Sequence, residues 1–166
     1  MKTEPRIETT PEQQLIGLSV TMSLTENRTG DLWKTFMTQM IQKNGPVSAP
    51  KYSIQVYEDV GYFNSFDPGK RFTKWACIAA EDCAVVPEGF QPFVLKGGTY
   101  AVFDYQGTPA DFPKMAQWIY GQWLPSSPYQ LDHRPHFELL GKAYKKDSPD
   151  SKETVWIPIK PKSKEQ

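Results

Sequence analysis

Glu138 is the residue whose chemistry is least explained by ordinary packing. It lies in the apolar run 137–140, which is typical of a β-strand. A carboxylate in such a strand either faces water or is held in a pocket, because an unpaired buried charge is unfavourable. Glu138 is therefore the first candidate for ligand binding or proton transfer in this chain.

The histidines and cysteines do not form a recognisable reactive set. His133 and His136 are three residues apart, and no further side chains at suitable spacing complete a metal site. Cys77 and Cys83 lack CxxC spacing, so they predict reduced thiols rather than a disulfide or a zinc site. The sequence also contains no Gly-rich phosphate loop, GxSxG elbow or Cys-His nucleophile pattern. We predict that the protein uses no metal and no cofactor.

Length and charge narrow the class of protein. The 166 residues suit one domain. Nineteen basic and nineteen acidic side chains give zero net charge, which argues against direct binding to nucleic acid. No apolar run reaches the roughly 20 residues of a membrane span, and no secretory signal is recognisable, so a cytoplasmic location is predicted. The aromatic content of 13% allows some rings to line a cavity.

Hydrophobic periodicity predicts a strand, a helix and two strands in each half of the chain. In the first half these elements cover residues 14–24, 31–43, 52–58 and 72–80. In the second half they cover residues 99–105, 110–122, 136–140 and 154–159, after a short extended segment at 93–95. Gly45 is predicted to end the first helix. Pro158 is predicted to restrict the last strand to an edge of the sheet or to its own end.

The repeated order of elements predicts a duplication with a period of roughly 80 residues. Aligning 52–57 with 135–140 places Gln55 opposite Glu138. Two βαββ units in one sheet would bury both helices on one face. The other face would be concave and aromatic, and polar groups from both units would meet there near a pseudo-twofold axis.

Several spaced strings carry a resemblance to a known family. GGTYAVFDYQG, IYGQWLPSSPYQLD, RPHFELLGKAY and ETVWIPI, in this order, resemble the GyrI-like small-molecule-binding domain, which also forms the effector-binding part of some AraC- and MerR-type regulators. PRIE, LIGLSVTMSL and LWKTFM agree with it. The resemblance implies an α+β fold of duplicated βαββ units with pseudo-twofold symmetry, an antiparallel sheet with two helices on one face, and a concave ligand pocket. We predict a single domain over 4–160, with repeats at about 4–90 and 91–160, and a charged tail at 161–166.

The resemblance also implies an aromatic cavity with a buried acidic side chain, and Glu138 is the matching position. Such a carboxylate suits an amphipathic cation whose flat body stacks on aromatic rings. Burial would raise the pKa of this carboxyl. The predicted ligand-binding residues are Glu138, Gln55, Trp75, Tyr105, Phe137 and Trp123.

The other five predicted ligand-binding residues can also be explained by packing or by an exposed position in a strand. Gln55 fits an ordinary strand surface, and Trp75 fits core packing as well as a cavity wall. Tyr105 is favoured over the other tyrosine of its strand, because the two point to opposite sides. Phe137 fits either the core or the wall, and Trp123 could cap the core or close the pocket.

Two classes of function follow from the resemblance. The first, which we favour, is a module that senses or sequesters a small amphipathic molecule, cationic or aromatic, like a multidrug-binding effector domain. Because residues 4–160 are used by the ligand domain, we expect no DNA-binding domain. The second is an enzyme, since some GyrI-like proteins hydrolyse the cyclopropane of DNA-alkylating natural products, and Glu138 would then be catalytic. Interaction with DNA gyrase is a third possibility, and the sequence identifies no protein partner.

Overall fold

The computed structural model describes residues 4–58, 60–63, 67–141 and 152–162. The described strands are β1 Arg6–Thr10, β2 Gln13–Met22, β3 Lys51–Val56, β4 Phe72–Ala79, β5 Gln91–Leu95, β6 Gly98–Gln106, β7 Tyr129–Leu131, β8 His136–Leu140 and β9 Lys152–Pro161. The described helices are α1 Thr29–Asn44, α2 Phe112–Trp118 and α3 Leu124–Ser126. Residues 163–166 of the predicted tail lie outside the described residues. None of the described helices is long and apolar enough to cross a lipid bilayer.

The two predicted βαββ units form one antiparallel sheet. Its strand order is β1-β6-β9-β8-β3-β4-β2-β5, and β7 pairs with β9 beside this path. The first unit supplies β2, α1, β3 and β4, and the second supplies β6, α2, β8 and β9. Because β6-β9-β8 mirrors β2-β4-β3, the sheet has the predicted pseudo-twofold symmetry and the units meet between β3 and β8.

The register between β3 and β8 locates the symmetry axis. Three facing pairs cross it: Ile54 with Phe137, Ser53 with Glu138, and Gln55 with His136. The predicted alignment makes Ile54 equivalent to Phe137 and Gln55 equivalent to Glu138. A twofold exchange of the strands therefore returns the same set of pairs, with the Ile54–Phe137 pair on the axis.

Both helices pack on one face of the sheet. A single row of facing residues crosses the four central strands, namely Ala76 on β4, Ser53 on β3, Glu138 on β8 and Val155 on β9. Directly opposed residues share a face. Ala76 packs beneath Phe36 and Met40 of α1, at one end of the row. Val155 packs in the cluster under α2 at the other end, so the centre of the row lies between the helices.

The sheet curls until its two ends approach each other. β1 and β2 lie near opposite ends of the strand order, yet only Pro11 and Glu12 join them, a span of at most about 11 Å. The link from β5 to β6 crosses this connection so closely that a Cβ on Gly97 would lie 2.5 Å from the carbonyl oxygen of Thr10. The face turned away from the helices is therefore concave, and its buried interior includes Tyr100 and Phe137.

The second helix differs from its predicted form. In place of one α-helix over 110–122, the chain forms a 3-10 turn at Pro109–Asp111, then α2, a π-helical turn at Ile119–Trp123, and α3. Pro125 has no backbone N–H to donate to Gly121, four residues earlier, so regular α-helical bonding is lost at this point. The first helix ends as predicted, where Gly45 adopts a φ of 74°.

Pro158 neither ends β9 nor places it at an edge. β9 continues to Pro161 and lies between β6 and β8. The Pro158 carbonyl accepts a hydrogen bond from the Asp132 N–H at 3.0 Å, so its backbone polar groups point away from β6. On that side, pairing with β8 ends at Trp156 and pairing with β7 begins at Ile159, so the missing N–H falls in a gap between two partner strands.

Ile54→Ala should weaken the junction of the two units. Ile54 is 0% exposed at the symmetry axis. Removing the γ- and δ-carbons of a buried isoleucine lowers the free energy of unfolding by about 2–5 kcal/mol. Urea unfolding measures this change. The matched control is Ile41→Ala, because Ile41 on α1 is 48% exposed and should change stability by only about 0.5 kcal/mol. Equal losses in the two variants would contradict the axial role of Ile54.

Candidate ligand-binding site

The candidate site lies in the cleft between α1 and α2, on the helix-covered face. Glu138 on β8 pairs with Val155 on the neighbouring strand β9, and Val155 belongs to the cluster beneath α2. The predicted position of the polar groups, on the open concave face, is therefore wrong. The reason is the phase of the strands: alternate residues point to opposite faces, and the aromatic positions of β3 and β8 are one residue out of step with the polar ones.

Glu138 is held by an amide and an ammonium group. The Nε2 of Gln55 donates a hydrogen bond to its Oε1 at 3.0 Å. The Nζ of Lys74 lies 3.8 Å from the same oxygen, and the Lys74 and Glu138 side chains are only 8% and 17% exposed. As predicted, burial raises the pKa of Glu138, and the Lys74 charge and the Gln55 hydrogen bond oppose this rise.

Glu153 is a second carboxylate beside this pair. It precedes Val155 by two residues on β9, so it lies on the same face and diagonally across from Glu138. Burial, and then the negative charge of Glu138, raise the pKa of Glu153 to about 7, and Lys74 opposes the rise. The three groups are electrically neutral when Glu153 is protonated and carry a net negative charge when it is ionised.

Four aromatic rings cover one end of the cleft. Phe63 lies nearly parallel to Tyr120 and to His136, with ring centroids 4.8 and 5.2 Å away. Oη of Tyr120 and Nδ1 of His136 share a hydrogen bond of 3.0 Å. Tyr57 packs edge-on against His136 at 5.0 Å. We call Tyr57, Phe63, Tyr120 and His136 the aromatic cap.

The aromatic cap is uncharged at neutral pH. Burial, together with the positive charge of Arg134, lowers the pKa of His136 to about 3. Burial raises the pKa of Tyr57 and of Tyr120, and the charge of Glu138 adds to both shifts. The cleft thus combines neutral rings with one ammonium and two carboxyl groups. Within the described ranges, no three His, Cys, Asp or Glu side chains gather in a way that would hold a metal ion.

Of the six predicted ligand-binding residues, the structure brings Gln55 and Glu138 into contact. Trp75 follows Lys74 on β4, and Phe137 precedes Glu138 on β8. Because neighbouring residues of a strand point to opposite faces, both side chains point away from the cleft, to the other face of the sheet. There Trp75 packs on Phe93 at 4.9 Å between ring centroids. Phe137 is buried and stacks on the indole of a β9 tryptophan at 5.2 Å. Both side chains belong to the interior of the curled sheet.

Tyr105 and Trp123 lie on the helix-covered face, within the core cluster beneath α2. Tyr105 faces Glu153 across β9, and its hydroxyl donates to the carbonyl oxygen of Thr108. The Nε1 of Trp123 donates to Glu4 at 3.0 Å. These side chains close the packing under the second helix and do not contact Glu138.

Sequence reasoning misses Lys74, Glu153 and the aromatic cap. A usable signal exists for the two charged residues. Lys74 is in phase with Ala76 of its strand, and Glu153 is in phase with Val155, so each is a charge at a position whose neighbours face the core. The cap has no such signal, because its rings come from the residue after β3, the 3-10 turn Val60–Phe63, the π-helical turn and β8.

Glu153→Gln should change how stability depends on pH. The pKa of Glu153 is about 7 in the folded protein against an ordinary 4.5, so folding takes up a proton between these values. Stability therefore falls as pH rises through that window. The variant should lack this fall and be more stable than the wild type at about pH 8, with the two converging at about pH 4.

Urea unfolding of both proteins across this pH range measures the difference. His136 contributes the opposite slope, because its pKa is lowered on folding, but both proteins share that effect and it cancels in the comparison. Glu88→Gln, at an exposed glutamate, is the matched control. Parallel curves for the wild type and Glu153→Gln would show that Glu153 does not titrate as described.

The comparisons with known proteins agree with this fold. The profile of the GyrI-like small molecule binding domain matches residues 3–160. The solved structure of SAV2435 bound to tetraphenylphosphonium matches with a TM-score of 0.67 and 15% identity, over 95% of this chain and 94% of that one. The EcmrR C-terminal domain matches with a TM-score of 0.67 and 15% identity, over 96% and 98%. A hydrolase encoded by lin2189 from Listeria innocua matches with a TM-score of 0.60 and 13% identity, over 96% and 93%.

A search of curated protein sequences gives no match. At such low identities the structural likeness shows the fold alone. The family profile, by contrast, spans nearly the whole chain. On this ground, the chain belongs to the family of GyrI-like small molecule binding domains.

Proposed function

We propose that the cleft between α1 and α2 binds small amphipathic molecules with an aromatic body, including cationic ones, and that the protein senses or sequesters them. The observation that carries the proposal is the position of Glu138. Its side chain is 17% exposed and lies at the junction of the two units, two residues from His136 of the aromatic cap. A buried acid beside uncharged rings suits a ligand with one polar and one flat apolar part.

The aromatic cap provides a model for the apolar part. Phe63 lies flat on Tyr120 and His136, with interplanar angles of 20° and 21°. A ligand ring held on the same surface would gain stacking energy beyond its buried area. A cationic ligand would also gain about 0.5–2 kcal/mol from contact with a tyrosine ring.

The cleft also offers attraction for a positive charge. Glu138 and Glu153 together outnumber Lys74 when both are ionised. SAV2435, whose fold is similar, is bound to tetraphenylphosphonium, an aromatic cation. EcmrR, whose structure in complex with DNA is also similar over 58% of its chain, supports a role as the effector part of a multidrug-type regulator of the AraC or MerR kind.

Glu138→Gln should weaken the binding of a cationic aromatic dye such as ethidium. The substitution removes the negative charge and keeps the shape, so we expect a loss of about tenfold or more in affinity. Fluorescence anisotropy of the dye measures it. Glu88→Gln, an exposed change with the same loss of charge, should bind as the wild type does. Unchanged affinity in Glu138→Gln would remove the carboxylate from ligand recognition.

A hydrolase is the second candidate, and the pairing of two unlike carboxyl groups favours it. Burial raises the pKa of both groups, to about 7 for Glu153, and Lys74 and Gln55 contact Glu138 and favour its ionised form. Two carboxyls in different environments suit a base and an acid. In the opening of a cyclopropane, the oxygen of water would bond to one carbon as a C–C bond breaks, and the other carbon would take a proton. Glu138 would activate the water and Glu153 would supply the proton.

The hydrolase candidate predicts multiple turnovers of a cyclopropane-bearing alkylator. Mass spectrometry should find many molecules of ring-opened product, with the mass of one added water, per molecule of protein. Glu138→Gln should lose this activity while keeping its fold, because the amide cannot accept the proton from water. Depletion of the alkylator that stops at one molecule per protein would leave binding as the function.

A further inference from the structure

We infer that Lys74 sets the charge preference of the cleft, because its ammonium group occupies the place beside Glu138 that a ligand cation would take. The inference rests on the proposed function and narrows its ligand class. Uncharged aromatic molecules can bind while the Lys74–Glu138 pair stays intact. A cation must either displace Lys74 from Glu138 or bind beside the Lys74 ammonium.

The register of three strands brings Lys74 to Glu138. Lys74 on β4 faces Gln55 on β3, and Gln55 donates to Oε1 of Glu138 on β8. The Lys74 ammonium approaches the same oxygen at 3.8 Å. The amide and the ammonium therefore meet a single carboxylate oxygen from adjacent positions of one sheet.

The charges around Lys74 come from the other unit of the duplication. On its own strand, Lys74 lies in phase with the apolar residues Phe72 and Ala76, and across β2 it faces Val20. Glu138 and Glu153 belong to β8 and β9 of the second unit. Burial lowers the pKa of Lys74, and the negative charges of these two acids oppose this shift by favouring the ammonium form. The ion pair thus crosses the pseudo-twofold axis at the centre of the cleft.

A cationic ligand has two possible positions near Glu138, and both carry an energetic penalty. If it replaces Lys74 beside Glu138, the ammonium of this side chain, which is only 8% exposed, loses its carboxylate partner and is left in a poorly solvated position. If it binds next to Lys74, two like charges stand close together where water screens them weakly. An uncharged ligand of the same shape avoids both penalties. An anion would be attracted by Lys74 but repelled by the two carboxylates.

Three phenyl compounds of positive, negative and zero charge test the inference, and the phosphonium and the borate are matched in shape. The probes are tetraphenylphosphonium, tetraphenylborate and the neutral triphenylphosphine oxide, titrated by calorimetry at about pH 8, above the pKa of about 7 of Glu153. Lys74→Met removes the charge with little change in length. We expect it to bind the phosphonium at least about tenfold more tightly and the borate correspondingly more weakly, with the phosphine oxide changed by less than about twofold.

Two further variants separate charge from other effects. Lys74→Arg keeps the positive charge and should keep the wild-type preference among the probes. Lys96→Met removes an exposed lysine and should also leave the preference unchanged. In the wild type, the Lys74 side-chain NMR signals should shift with the phosphonium and not with the phosphine oxide, a measurement that remains available if Lys74→Met does not fold.

The outcomes distinguish this inference from the proposed function. If the probes bind but the ratio of phosphonium to borate affinity is the same in Lys74→Met and wild type, Lys74 does not set the preference. The inference is also overturned if the phosphonium binds the wild type and the Lys74 NMR signals do not shift. If no probe binds the wild type or any variant, the proposed function itself fails.

Discussion

The pairing of β3 with β8 is the interaction on which the rest of the structure depends. With Ile54 facing Phe137, these two residues and the positions in phase with them turn to the concave interior. The intervening residues, which include Gln55 and Glu138, turn to the helices. A slip of one residue would exchange these two sets and would place a carboxylate among the rings of the interior. The junction therefore fixes the symmetry of the fold and the chemistry of the cleft together.

Polar groups persist at this junction because neither helix covers it completely. α1 packs over β4 and β2, and α2 packs over β6 and β9, so the central strands lie under the gap between them. The gap is closed at one end by the aromatic cap. A buried ion pair seldom adds stability over apolar packing. In the function we propose, the Lys74–Glu138 pair is instead part of a binding surface whose two halves are supplied by the two units.

The sequence carries the order of elements, the duplication and the contact between Gln55 and Glu138, because each of these follows from local periodicity and from aligning like segments. It does not carry the face on which the contact lies. That depends on which residues the helices cover, and Trp75 and Phe137 are as suitable for a wall as for a core until the helices are placed. Lys74 and Glu153 join the site through pairings between distant strands. The π-helical turn that carries Tyr120 lies just before Pro125, whose effect on the helix depends on its surroundings.

The short links between β1 and β2 and between β5 and β6 have a consequence for motion. Each unit sends its leading strand to the far side of the sheet, where it pairs with the outer strand of the other unit. The duplicated halves are thereby interlocked, and a hinge that swung them apart would have to break both edge pairings at once. Access to the cleft is left to movements on the helix side, such as displacement of Phe63 or of the irregular second helix. The curled sheet can then stay rigid while one wall of the site moves.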